Sequence, residues 1–334
     1  MSEKKQLPNL EEVVTTFLKK NKFHNKPLLL GLSGGPDSIA LFYALLGSDL
    51  SFEVAHIDHG WRQESAKEAQ ILADLCQEKG VLFHCKAVTP SLEGKNLEDC
   101  ARKERLAFFK ECCQKRSLAA VLLAHHLDDR AETVLKRVFE GATLRRLVGM
   151  GPQKKMEGLL LLRPLISLKK QQILAWLDHQ KLSYFSDATN LDQRFLRARM
   201  RQEILPLLDK SFGKNISSSL CRLSDYALEL DCYLEELFSQ SPIEQRQKGL
   251  FWQPPLYILQ TPFLLKLAIR HFLQQKGVTI SQATLEGVAL HLQKNANNKR
   301  VVISKYELTL DRGTLFLQRK NLLNLNEKKR KIEH

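Results

Sequence analysis

The chain has 334 residues, length for two domains, and its 51 Lys and Arg against 37 Asp and Glu leave a formal charge of +14. An excess of that size on an ordinary globular composition points to a polyanionic partner, nucleic acid above all, although the run Glu327-Lys328-Lys329-Arg330-Lys331 supplies part of it. The seven cysteines form no C-x-x-C pair and no zinc-type spacing, which argues against a disulfide or zinc framework and suits reduced thiols. The longest apolar stretch, around Leu159–Leu162, is far too short for a bilayer, and no signal-like segment opens the sequence; a soluble, cytoplasmic protein with no membrane contact is expected.

Asn9 is placed to cap a first helix whose Leu10, Val13, Val14, Phe17 and Leu18 share a face. Strand and helix patterns then alternate. Strands are predicted at 28–32, 52–57, 81–88, 119–124 and 159–165, and helices at 38–46, 63–79, 97–115, 130–140 and 168–180. That alternation predicts an α/β fold with a doubly wound, mostly parallel sheet, whose ligands sit beyond the carboxyl ends of the strands. After about residue 205 the alternation stops. Residues 216–240 and 262–276 read as amphipathic helices, interrupted by Gln253-Pro254-Pro255, and short strands follow at 299–304, 307–310 and 314–318 around the turn Asp311-Arg312-Gly313. The expected division is a nucleotide-binding domain over 1–210, a helical linker over 211–245, a smaller α+β domain over 246–322 and a polar basic tail over 323–334.

Between the first strand and its helix stands Ser33-Gly34-Gly35-Pro36-Asp37-Ser38. The glycines let backbone N–H groups approach an anion, Ser33 and Ser38 add hydroxyls, and the helix N-terminus adds partial positive charge. Asp37 suits Mg²⁺ better than phosphate, being a hard oxygen ligand. No G-x-x-x-x-G-K-[ST] loop is present, and no lysine follows Gly35 to reach a terminal phosphate. The hexapeptide resembles the pyrophosphate loop of the N-type ATP pyrophosphatases, which cleave ATP between the α- and β-phosphates.

The second strand ends in His56-Ile57-Asp58-His59-Gly60-Trp61-Arg62, read as nucleotide-pocket lining in preference to a metal site on His56, Asp58 and His59. In the next helix Arg102 and Arg105 lie three apart and can face an anion, or simply form a solvated charged face. The fourth strand runs into His125-His126-Leu127-Asp128-Asp129-Arg130-Ala131-Glu132-Thr133. With a helix starting near Asp128, Asp129 and Glu132 share a face. They suit the helix dipole, and they also suit a cationic amine that must lose a proton, with His125 or His126 as acceptor. A di-metal reading of the same cluster stands second. Finally, Asp187 to Arg201 carries Arg194, Arg197, Arg199 and Arg201, a concentrated patch for phosphates of RNA or ATP.

Together these segments, with Arg163-Pro164-Leu165, make the chain resemble the tRNA(Ile)-lysidine synthetases. The resemblance is strong to about residue 210 and looser beyond. Arg130 stands where that family usually has Gln, Ala198 where Asn is common and Leu106 where an aromatic is frequent, and the extra C-terminal domain of longer members is not expected here. The resemblance implies ATP-dependent adenylation of C2 of the wobble cytidine in a CAU anticodon of tRNA(Ile), then attack by L-lysine with release of AMP. It implies pyrophosphate held by Ser33, Gly34, Gly35, Pro36 and Ser38, Mg²⁺ on Asp37, and His56 and Arg102 at the nucleotide. It further implies L-lysine at His125, Asp129 and Glu132, and Arg197 and Arg201 at the activated intermediate or phosphate. A homodimer is compatible with this reading. The rivals are a tRNA cytidine thiolase of the same superfamily, a small-molecule adenylating ligase, and a non-catalytic tRNA-binding protein; ATP consumption with tRNA separates the last from the rest.

Overall fold

The computed structural model describes residues 7–48, 50–58, 60, 65–88, 97–185 and 196–320. The chain divides into two compact units, Met1–Glu229 and Leu230–His334. The boundary falls inside one continuous helix, Ile216–Ser239, within the segment expected to link two domains.

In the first unit, α1 (Leu10–Lys20) is capped by Asn9, whose side chain accepts the Glu12 N–H, and it buries Leu10, Val14 and Leu18. Strands β1 (Leu28–Gly31), β2 (Phe52–Asp58), β3 (Phe83–Ala87), β4 (Val121–Leu122), β5 (Gln153–Met156) and β6 (Leu159–Leu162) form a sheet in the order β3-β2-β1-β4-β6-β5. All neighbouring pairs are parallel except β5–β6, an antiparallel hairpin. Between them run α2 (Pro36–Leu46), α3 (Ser65–Glu78), α4 (Leu97–Arg116), α5 (Leu127–Phe139) and α6 (Leu144–Leu147). Then come α7 (Lys170–His179), α8 (Leu196–Arg199), a π-helical turn (Met200–Ile204), α9 (Leu205–Phe212) and α10 (Ile216–Ser239).

The sheet is covered on both faces, and β1 displays why. Leu28 and Leu30 enter the core built with α1, α2 and α7, while Leu29 enters the opposite core with Leu106, Phe109, Cys112 and Cys113 of α4. Leu122 and Leu162 follow the first pattern, Val121 and Leu161 the second, as a period of two requires. Each such leucine contributes about 1.5–3 kcal/mol by burial. Helix α4 approaches closely enough that a Cβ on Gly31 would lie 2.8 Å from Phe109 Cζ. Arg130 of α5, the departure from Gln, is buried and donates from Nε (3.1 Å) and Nη2 (2.9 Å) to Ser224 Oγ of α10, with Nη2 also on Asp225. It ties the site-bearing helix α5 to α10.

The second unit holds the second half of α10 with β7 (Glu244–Arg246), β8 (Gly249–Trp252), α11 (Leu256–Leu259), α12 (Pro262–Gln274), α13 (Gln282–Gln293), β9 (Lys299–Ile303), β10 (Tyr306–Asp311) and β11 (Thr314–Arg319). Its five strands form an antiparallel sheet in the order β7-β8-β11-β10-β9. Alternate residues Leu308, Leu310, Leu315 and Leu317 meet Leu265, Ile269 and Phe272 of α12 and Leu285 of α13. Among the described residues, no helix is long and apolar enough to cross a membrane.

Candidate active site

The carboxyl ends of β1, β2, β4 and β6 open on one edge of the first sheet, and each is followed by polar residues. After β1 the loop folds on its own hydroxyls. Ser38 Oγ donates to the Gly35 carbonyl (2.9 Å) and accepts the Ser33 N–H (3.2 Å), and Ser33 Oγ lies 3.1 Å away. Gly35 caps α2 and Pro36 takes its first position, so the helix begins in the loop with N–H groups that have no partner within the helix. Gly34 has φ +83°, and its carbonyl accepts the Phe185 N–H at 3.0 Å. A Cβ at Gly34 would overlap the Phe185 ring. Gly34→Ala should therefore weaken ATP binding about tenfold or more, from the left-handed backbone cost alone. Calorimetry of ATP binding checks this, and adding Phe185→Ala should restore only part of the loss.

His56 is buried in β2, stacked on Phe83, with Nδ1 2.8 Å from the Leu32 carbonyl. A carbonyl only accepts, so Nδ1 is the donor. His56 thus pins the chain at the mouth of the loop. Asp58 Oδ1 accepts the Gly60 N–H at 2.8 Å. His59, Trp61 and Arg62 lie outside the described residues, as do 186–195 with Asp187 and Arg194.

Asp37 faces a partner that sequence spacing does not disclose. Lys170, at the start of α7, places Nζ 2.6 Å and 2.7 Å from the two Asp37 oxygens. The loop, which has no lysine of its own, thus meets one from 133 residues away. Lys170 also donates its N–H to Asp128 Oδ2 at 2.8 Å.

At the start of α5, His126 is buried among three carboxylates: Asp37 at 3.8 Å, Asp128 at 3.4 Å and Asp129 at 3.5 Å. Burial alone would disfavour its charge, but Asp128, Asp129 and Asp37 outweigh that and raise its pKa. His125 behaves oppositely. Burial, opposed by Asp129 but reinforced by Arg163, Arg105 and Arg197, pulls it down to about 3. Its Nδ1 accepts from Arg163 Nε at 3.3 Å. Neighbouring carboxylates thus strengthen the hold of His126 on a proton, while burial and the arginines weaken that of His125.

Asp129 and Glu132 share a face of α5 as their spacing requires, and both hold Arg201 of the π-helical turn. Arg201 Nη2 donates to Asp129 Oδ1 (2.7 Å) and Glu132 Oε2 (3.1 Å), and Nε donates to Glu132 Oε1. Burial favours protonated Asp129, yet His126, His125 and Arg201 prevail and lower its pKa. Burial dominates at Glu132 and raises its pKa despite Arg201. Arg197 is exposed on α8, and its charge reaches Arg105 and His125. Arg102 is exposed on α4 with Nη2 3.7 Å from Met156 Sδ, among a separate group of cations. Arg163 emerges buried from β6, donating from Nη1 to the Gly151 carbonyl (2.8 Å), and burial with Arg102 brings it down to about 10. Sequence reading assigns no role to Lys170 or Arg163; the signal for Arg163 is the Arg-Pro-Leu triplet closing an apolar strand.

A Mg²⁺ ion arriving with a nucleotide finds a fitting donor in Asp37. Such ions take one or two carboxylates and complete their shell with phosphate oxygens and water, and the ammonium on Asp37 marks the place as one that selects a cation.

A PP-loop domain model matches residues 7–208. The tRNA(Ile)-lysidine synthase of Chlamydia muridarum is 38% identical over 310 residues, covering 92% of this chain and 95% of that one. The enzyme of the same name from Chlamydia pneumoniae is 40% identical over 297 residues, covering 86% and 92%. That of Protochlamydia amoebophila is 39% identical over 324 residues, 92% of this chain and 69% of its own. Among solved structures, the U34-tRNA thiolase NcsA from Methanococcus maripaludis superposes with TM-score 0.54 at 18% identity over 66% of this chain and 78% of that one, a likeness of fold. The loop after β1, the acidic start of α5 and these alignments along nearly the whole length agree, and the chain belongs to the tRNA(Ile)-lysidine synthase family.

Proposed function

We propose that this chain ligates L-lysine to C2 of the wobble cytidine of tRNA(Ile) bearing a CAU anticodon, using ATP and releasing AMP and pyrophosphate. The observation that carries the reading is the pairing of an anion loop at β1 with a buried two-carboxylate pocket at α5, bridged by His126 between Asp37 and Asp129.

In this reading the loop N–H groups, Ser33, Ser38 and the start of α2 take the β- and γ-phosphates, and Lys170 moves from Asp37 to the same oxyanions. Asp37 would hold Mg²⁺, which when bound would supply charge neutralisation for the pyrophosphate leaving group. The cytidine C2 oxygen attacks the α-phosphorus, and the bond to the β-phosphate oxygen breaks. Lysine then places an ammonium on Asp129 and Glu132, where Arg201 sits in the free protein. Glu132, whose burial raises its affinity for a proton, takes one from the amine. The free amine adds to C2, and AMP leaves with the C2 oxygen. Arg201, released, faces the phosphate of the activated base together with Arg197. The unpaired anticodon loop lets the base reach such a pocket. A homodimer remains part of the proposal for the working assembly.

Radiolabelled lysine, ATP, Mg²⁺ and a tRNA(Ile) transcript with CAU anticodon test this directly. Label should enter the tRNA only with ATP. ATP turnover without label would reassign the chain to another adenylating reaction, and no turnover with tRNA would leave an RNA-binding protein.

A further inference from the structure

Outside the pocket just described, a second group of cations lies on the β5–β6 hairpin and the helices beside it. Arg102 of α4 rests on Met156 of β5, and Lys154 stands two residues before Met156 on the same strand face. Arg137 of α5 donates from Nη1 to the Arg146 carbonyl of α6. Arg163, beneath them, is fixed by the Gly151 carbonyl and His125. Arg102, Arg146 and Lys154 are exposed, Arg137 is half-buried and Arg163 is buried. Their charges act on one another: burial together with Arg102, Arg137 and Arg163 lowers the Lys154 pKa, and burial together with Arg146 and Arg102 lowers that of Arg137. Glu140 opposes the lowering at Arg137 and is itself paired with Lys136 at 3.7 Å. Five cations held against mutual repulsion, one on the edge strand β5, one just after β6 and three on α4, α5 and α6, make a site that an anion would relieve.

We infer that Arg102, Arg137, Arg146 and Lys154, with Arg163 as their buried support, form a phosphodiester-binding site for the RNA strand flanking the base under modification. This rests on the tRNA-lysine ligation proposed above. Placement distinguishes RNA from ATP as the source of the phosphates. The pyrophosphate cradle follows β1, and Lys154 on β5 lies three strands away, about 14 Å at ordinary strand spacing. One triphosphate held at the cradle does not span that gap, whereas a single strand with its target base in the cleft carries further phosphates outward over it.

The test uses the full chain carrying Lys154→Gln and Arg146→Gln, both exposed positions, against wild type and a control with Lys19→Gln and Lys20→Gln on exposed positions of α1. Binding of a CAU anticodon stem-loop RNA is measured across a salt series, ATP binding is measured separately, and circular dichroism verifies folding. The site variant should bind the RNA about three- to tenfold more weakly, with the slope of log K against log salt reduced by about 0.7 per cation removed, and bind ATP as wild type does. An RNA slope equal to that of the α1 control would overturn the site, as would weakened ATP binding with unchanged RNA binding. Lysine incorporation by the wild type is scored independently, so failure of the ligation reading is distinguishable from failure of the phosphate site.

Discussion

Asp37→Ala should cut ATP-dependent lysine incorporation by about 10²–10³-fold, the scale of losing one preorganised electrostatic contact to a charge that develops in the reaction. The loss comes from where the carboxylate stands and not from weakening of the fold. Asp37 lies in the first turn of α2 at the mouth of the loop, partly exposed, and it is held there by a Lys170 ammonium that is itself one-third exposed. Water takes over the ammonium when the carboxylate is removed, so the melting temperature should shift by no more than about 1–2 °C. The same substitution removes the oxygen donor for Mg²⁺ and leaves Lys170 free to occupy phosphate permanently. ATP should then still bind, with its dependence on Mg²⁺ weakened, while turnover collapses. Parallel titrations of ATP with and without Mg²⁺, alongside label incorporation, check the split; turnover within threefold of wild type would rule the role out.

Arg201→Ala should damage both the fold and the reaction. Glu132 is 3% exposed and Arg201 38%, so the substitution leaves a buried carboxylate facing Asp129 without its hydrogen-bonded counter-charge, only the more distant Arg197 still acting on it. Breaking such a pair costs about 2–3 kcal/mol once solvent screening on the arginine side is allowed for, or about 5–10 °C in melting temperature. The cost depends on pH with a definite sign. Burial already raises the Glu132 pKa in the folded protein, and removal of Arg201 raises it further. Between the unfolded and folded values the native state binds more protons, so stability falls as pH rises through that window. The variant should come closest to wild type in mild acid and lose ground toward neutrality. Glu132→Gln in the same background should recover most of the lost stability and none of the lysine transfer. Thermal melts at several pH values, paired with label incorporation, test both halves.

Much of this is legible in the sequence because the informative signals are local. Apolar runs mark β1, β2 and β6, a three-residue spacing puts Asp129 and Glu132 on one helix face, and Asn9 announces α1. Of the three strands that escape such a reading, Gln153–Met156 and Glu244–Arg246 are edge strands with solvated side chains and no apolar signature, and Gly249–Trp252 is an interior strand of four residues, too short to show a period. The carboxylates' partners escape for another reason. Lys170 meets Asp37 across 133 residues and Arg201 meets Glu132 across 69, and no spacing rule links positions joined only by the sheet's topology. Sequence reasoning places a metal on one acid and an amine on the other two. In the free protein Lys170 holds the first and Arg201 the other two.

The π-helical turn at Met200–Ile204 has a consequence for how this protein can change. Such a turn is a helix carrying one residue more than its hydrogen-bond register accommodates. Loss of any single residue there would restore regular pitch, and each residue of register turns the preceding segment by about 100° relative to the succeeding one. Arg201 would swing off the α5 acids while the helix itself gained better backbone bonds. Length in this segment is thus under tighter control than composition: exchanges of side chain around Arg201 are tolerable, but a one-codon deletion would trade activity for a sounder helix.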